Sequence, residues 1–189
     1  MSHVARFVSA AIASATLAIA VAPTDASAAN DAALRKKIVA AFSTVKSYRL
    51  TVLGTARSLG VWVAPNRYEM TTEIGGGKPV RTVIVGSDYW TFSGGKWEHS
   101  GRVSSNLDVD IAGVIRNAKA NPAASFTRTA DQNLDGKRVG TFAYAFENGT
   151  EETCNYDRRT YRVMRCKADE VTILYTKYND ASNRVAKVR

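Results

Sequence analysis

The stretch VWVAPNRYEMTTEIGGGKPVRTVIVGSDYWTFSGGKWEH, Val61 to His99, decides the fold. Arg67 to Ile74 alternates strictly. Tyr68, Met70, Thr72 and Ile74 fall on one side; Arg67, Glu69, Thr71 and Glu73 fall on the other. A period of two is the mark of a strand with one dry face and one wet face. Gly75-Gly76-Gly77-Lys78 turns the chain, because glycine enters positive φ without steric cost. Val80 to Val85 is β-branched and apolar and reads as the returning strand. Gly86-Ser87-Asp88 turns again into Tyr89-Trp90-Thr91-Phe92, and Ser93-Gly94-Gly95-Lys96 turns into Trp97-Glu98-His99. Such short turns join antiparallel neighbours.

Working outward, Tyr48 to Ala56 alternates with Tyr48, Leu50 and Val52 on one side. Arg57-Ser58-Leu59-Gly60 reads as a turn or bulge, and Pro65 ends the strand that holds Trp62. Before them, Asp31 to Ser47 reads as a helix. Leu34, Ile38, Ala41, Phe42 and Val45 form its apolar stripe, and Asn30 or Asp31 caps it. Each large apolar side chain on that stripe gains about 1.5–3 kcal/mol on burial. The sheet is the only large apolar surface available to receive it. Ser104 to Asn121 is a second helix by the same reasoning, with Leu107, Ile111, Val114, Ile115 and Ala118 as its stripe and Asn121-Pro122 as its end.

The last third is β again. Phe126 to Ala130 is one strand and Asn133-Leu134-Asp135-Gly136 a turn. Arg138 to Glu147 follows, with Phe142, Tyr144 and Phe146 on one face, and Asn148-Gly149 turns it. Glu152 to Tyr156 and Tyr161 to Lys167 form a hairpin over Asp157 to Thr160, and Val171 to Tyr178 closes the series.

Residues 1–28 read as an export leader. Arg6 supplies the positive end, Phe7 to Val21 the apolar run and Ala26-Ser27-Ala28 the cleavage site. The run is too short and alanine-rich for a membrane span. No cysteine lies near the cleavage site, so the expected product is a non-lipidated periplasmic protein, not integral to a membrane, with residues 29–189 as a single domain. The leader holds one arginine and one aspartate, so the net charge of +9 survives its removal. Those charges are scattered, with no arginine-rich run or basic–aromatic motif, so nucleic acid is not an expected partner.

Cys154 and Cys166 are the only cysteines and stand symmetrically about Thr160, opposite one another in a regular hairpin. In an exported chain they are expected to form a disulfide. A redox pair would want C-x-x-C spacing, and a metal site would want more partners than His99, the only histidine after the leader. No metal and no cofactor is expected. Nor is a catalytic constellation: G-x-S-x-G, H-E-x-x-H and a glycine-rich phosphate loop are all missing. Glu151-Glu152, or Asp108 and Asp110, are carboxylate pairs of the kind a glycosidase uses, but adjacent acids on turns are ordinarily just solvated.

What the sequence does carry is aromatic and apolar surface on strands. A curved antiparallel sheet with few helices often encloses a ligand cavity. The residues expected to line one are Trp62, Tyr68, Met70, Trp90, Phe92, Phe142, Tyr144 and Phe146.

Several segments, in order, resemble the LolA/LolB-like superfamily of periplasmic lipoprotein carriers and lipid-binding envelope proteins. They are the strand entry Val45 to Arg49, the segment Val63-Ala64-Pro65-Asn66-Arg67-Tyr68-Glu69 and the turn Ile84 to Trp90 with Gly95-Lys96-Trp97 behind it. Leu134 to Val139, the hairpin Tyr156-Asp157-Arg158-Arg159-Thr160 and Tyr178-Asn179-Asp180 follow. The family's glycine-leucine-proline after the hairpin threonine is replaced by Tyr161-Arg162-Val163, which marks a divergent relative. The resemblance implies an α+β fold: a strongly curved antiparallel sheet, an open half-barrel, with two or three helices on its concave face. It also implies a non-enzymatic, monomeric carrier of a lipid or lipoprotein acyl chain that meets an inner- or outer-membrane protein. Two rivals are an envelope-stress sensor or protein-binding module of similar shape, and a polysaccharide-acting enzyme that stacks sugars on Trp90 and Trp97.

Overall fold

The computed structural model describes residues 25–102, 125–145 and 151–188. Helix α1 (Asp25–Ser43) leads into eleven strands: β1 (Ser47–Leu53), β2 (Ala56–Val63), β3 (Arg67–Ile74), β4 (Val80–Val85), β5 (Asp88–Ser93), β6 (Lys96–Arg102), β7 (Ser125–Leu134), β8 (Lys137–Ala145), β9 (Glu151–Tyr156), β10 (Val163–Ala168) and β11 (Val171–Thr176). They make one antiparallel sheet in the order β6-β5-β4-β3-β2-β1-β11-β10-β9-β8-β7. Since β6 and β7 are edges and do not pair, the sheet is curved but open, the expected half-barrel. Among the described residues α1 is the one helix. The expected second helix, Ser104 to Asn121, lies outside them, as do Phe146 and the Asn148-Gly149 turn.

The core lies between α1 and one face of the sheet. Leu34, Ile38 and Phe42 of α1 pack with Tyr48, Leu50, Trp62, Tyr68, Phe142, Tyr156 and Tyr175, so the predicted stripe is the buried one. The helix bounds differ from those expected. Asp31 sits inside the helix, where its Oδ1 accepts the backbone N–H of Arg128 at 2.8 Å and ties α1 to edge strand β7. The helix stops at Ser43, ahead of Ser47, because distant groups take over its last donors. Asn179 Oδ1 accepts from the backbone of Lys46 and Ser47, and the hydroxyls of Ser43 and Thr44 turn back onto the carbonyls of Ala40 and Ala41. Val45 is buried beyond the helix end.

Arg57 to Gly60 is not a turn but the heart of β2, and the bend falls at Gly54-Thr55. Gly60 is there for packing. A Cβ on it would stand 2.9 Å from both Leu50 Cγ and the Tyr68 hydroxyl. Strand β7 likewise runs through Asn133 to Leu134, with a register shift between Thr129 and Gln132, leaving Asp135-Gly136 as the turn.

Candidate ligand-binding face

Register sorts every strand residue to one face of the sheet or the other. Tyr48 pairs with Trp62, Trp62 with Tyr68 and Tyr68 with Ile84. One step along, Tyr175 pairs with Leu50, Leu50 with Gly60, and Gly60 with Met70. A third row runs from Val52 through Ile173, Cys166 and Cys154 to Phe142. Partners across an antiparallel pair point the same way, so these rows tile the concave face that α1 covers. The expected disulfide joins Cys154 to Cys166 and sits fully buried in the third row. Its sulfurs lie within 4.8 Å of Glu152, but a disulfide offers no thiolate to a metal.

The cavity residues read from the sequence divide between two faces. Trp62, Tyr68, Phe142 and Tyr144 are buried on the concave side, and Met70 packs against them half-buried. Trp90 pairs with Val83, which belongs to the opposite parity, and Phe92 shares its side. Both therefore stand on the convex face, where the structure does not bring them to the others. Phe92 and Trp97 meet at 5.2 Å with the Arg81 guanidinium 5.1 and 5.3 Å from their rings. Tyr89, opposite Ile84, is the inward aromatic of β5.

The helix covers only part of the concave face. Val52, Met70, Ile84, Phe126 and Ile173 are half-buried and packed against the core, and the row ends in Ile74, Val80 and Val171, which are exposed. Of these eight, only Met70 was among the cavity residues read from the sequence. The signal for the others was the shared parity with Tyr68 and the cysteines. The polar content is small. Ser58 and Thr72 hydroxyls bond each other at 2.9 Å. Burial pushes the Tyr68 phenol up, so it stays protonated, and its hydroxyl and that of Tyr48 make no hydrogen bond among the described residues. Burial also raises the Glu152 carboxyl above its ordinary range. The arrangement is a greasy floor with few polar groups, suited to holding apolar chains.

On the convex side the C-terminal segment folds back as a strap. Arg67 donates to the Ala186 carbonyl at 3.1 Å, Glu69 accepts from the Ala186 N–H at 2.8 Å, and Arg49 donates to Asn183. His99 meets Asp88 at 3.4 Å with both side chains about half-exposed, while Ser100 bonds Thr91, so the three do not line up as a hydrolytic triad. No helix among the described residues is long and apolar enough to cross a membrane.

Known structures share this fold. The lipoprotein LppX of Mycobacterium tuberculosis matches 81% of this chain and 98% of its own at 13% identity and a TM-score of 0.58. LprF of Mycobacterium bovis matches 84% of this chain and 97% of its own at 11% identity and a TM-score of 0.59. A LolA superfamily protein of Nitrosomonas europaea also matches, at 8% identity over 84% of this chain and 94% of its own, but at a TM-score of 0.35. No family model and no curated protein sequence matches. The likeness of fold is to LppX and LprF, whose structures align over nearly their whole length.

Proposed function

We propose that this protein is a non-enzymatic carrier that holds a lipid or lipoprotein acyl chain against the concave face of its sheet. The observation that supports it is the run of apolar side chains beyond the helix, from Met70 and Ile84 to the exposed Ile74, Val80 and Val171. Each methylene moved there from water contributes about 0.8 kcal/mol, so a long acyl chain supplies ample binding free energy without any specific polar contact. Trp62, Tyr68, Met70, Phe142 and Tyr144 form the floor of this site. The buried disulfide fits an oxidising compartment and so supports a periplasmic carrier, read here as a single domain from residue 29 onward that acts as a monomer. Its exchange partners are then proteins of the inner or outer membrane.

The test is lipid uptake. Delipidated protein is incubated with a saturated fatty acid or phospholipid and examined by native mass spectrometry. A one-to-one adduct that survives gentle desolvation and weakens in Met70→Glu is the expected result. Absence of any adduct, with the fold intact by circular dichroism, refutes the proposal.

A further inference from the structure

The floor beside α1 carries charge as well as apolar surface. A cavity of about 240 Å³ opens between α1, β7 and the turn joining β9 to β10. Leu34 and Tyr156 of the core form part of its wall, and Tyr161 stacks on Tyr156. Three cations reach it: Lys37 from the helix, Arg128 from β7 and Arg158 from the turn.

These cations are incompletely matched. The carboxylate of Asp131, almost buried, has Arg158 Nη1 at 3.3 Å and Arg138 Nε at 3.4 Å from Oδ2, and Arg128 Nη2 at 3.7 Å from Oδ1. Charge-assisted hydrogen bonds close to about 2.7–2.9 Å, so these are looser contacts. Asp131 Oδ1 accepts no hydrogen bond among the described residues. Asp31 accepts from the Arg128 backbone N–H, and Asp157, next to Arg158 in the turn, is taken by Lys137. Lys37 forms no ion pair among the described residues; its Nζ lies 5.0 Å over the Tyr161 ring and donates to that hydroxyl at 3.2 Å. Of the three cations lining the cavity, Arg128 and Arg158 share one carboxylate, that of Asp131. Burial raises the Tyr156 phenol, with Arg128 and Arg158 only partly opposing, so its hydroxyl stays a donor.

Size and placement then select the ligand group. The cavity falls below the roughly 300–1,000 Å³ that houses a whole drug-sized molecule, so it suits a headgroup rather than a lipid. Arg128 pairs with Phe142 and Phe126 with Tyr144, which sets Arg128 and Phe126 side by side on the concave face. We infer that this pocket binds the anionic oxygen group, phosphate or carboxylate, of the carried molecule through Lys37, Arg128 and Arg158, while its acyl chain lies along Phe126 and Phe142. The inference rests on the carrier reading above and names the class of lipid: an anionic one.

Isothermal titration of the delipidated, exported chain tests it with three probes: dihexanoyl phosphatidylglycerol, the neutral dihexanoylglycerol and inorganic phosphate. One or two charge-assisted hydrogen bonds favour the anionic lipid by about tenfold or more. The double variant Lys37→Gln/Arg158→Gln abolishes that preference and leaves binding of the neutral dihexanoylglycerol unchanged, and Arg158→Lys restores part of it. Arg158 is half-exposed and Lys37 exposed, so truncation opens no core cavity, and matching thermal melts verify this. Equal affinity for the two lipids, unmoved by the double variant, overturns the headgroup site and leaves the carrier reading standing. Phosphate binding that the double variant removes, with neither lipid bound, supports the anion pocket for a free oxyanion and overturns the carrier reading. No binding of any probe overturns both.

Discussion

Gly140 and Tyr156 pair across β8 and β9, and the tyrosine ring lies on the bare glycine backbone. A Cβ at position 140 would stand 2.1 Å from Tyr156 Cζ and 2.5 Å from both Cε1 and the hydroxyl oxygen, against an ordinary contact of 3.4–4 Å. Neighbouring rings hold the tyrosine on two sides. It is buried, stacked on Tyr161 at 5.9 Å and tilted against Phe142 at 6.2 Å. Overpacking of this kind costs about 1–3 kcal/mol. The backbone itself has no need of glycine, since Gly140 is not among the residues with positive φ. In a strand, alanine is otherwise preferred over glycine by roughly 0.5–1 kcal/mol. Gly140→Ala should therefore destabilise the native chain, lowering Tm by roughly 2–4 °C per kcal/mol. In a Tyr156→Leu background, which removes the colliding ring atoms, the same change should be neutral or stabilising. Urea unfolding of the oxidised protein, followed by tryptophan fluorescence, reads all four corners of this double-mutant cycle. Equal effects of Gly140→Ala in both backgrounds would refute the packing described for this corner of the concave face.

Other outcomes follow from the same structure. Replacing both Cys154 and Cys166 by alanine opens a loop of sequence separation 12 and should cost about 3 kcal/mol, read as a lower urea midpoint. The hydrogen bond from Lys137, with help from the backbone of Thr160 and Arg159, holds the Asp157 carboxyl down at about 2. Its folded value is below its unfolded one, so its stabilisation is present above about pH 4 and is lost as pH falls toward 2. Asp157→Asn should flatten that part of the stability profile. Glu152 has the opposite sign: raised by burial, it favours the fold at low pH and loses that contribution as pH rises above about 4. Glu152→Gln should raise the urea midpoint at pH 7 relative to wild type and close that gap in acid.

Local alternation made most strands legible. Arg67 to Ile74 is a strand as expected, because its pattern and its glycine turn agree. Cys154 and Cys166 face each other as their symmetry about Thr160 suggests, though a bulge between Val163 and Arg165 is what brings them into register. Where the reading failed, tertiary packing was the reason. Gly60 looks like a turn residue in sequence, yet it is there to admit Leu50 and Tyr68. The end of α1 is set by Asn179, more than a hundred residues away. The face assignment of Trp90 and Phe92 was recoverable: the two-residue turn Gly86-Ser87 sets Val85 opposite Asp88, and counting from there puts Tyr89, not Trp90, inward. The basic pocket was not recoverable. Lys37, Arg128 and Arg158 lie on separate elements that meet only when α1 docks on β7.

The central claim is that the concave face, and not the outer aromatic cluster, receives the acyl chain. Photo-crosslinking with a diazirine-bearing fatty acid, mapped by peptide mass spectrometry, addresses it most directly. Labels should fall on Met70, Ile84, Phe126 and Ile173. Labels on Trp90, Phe92 and Trp97 with the concave residues clean would contradict it.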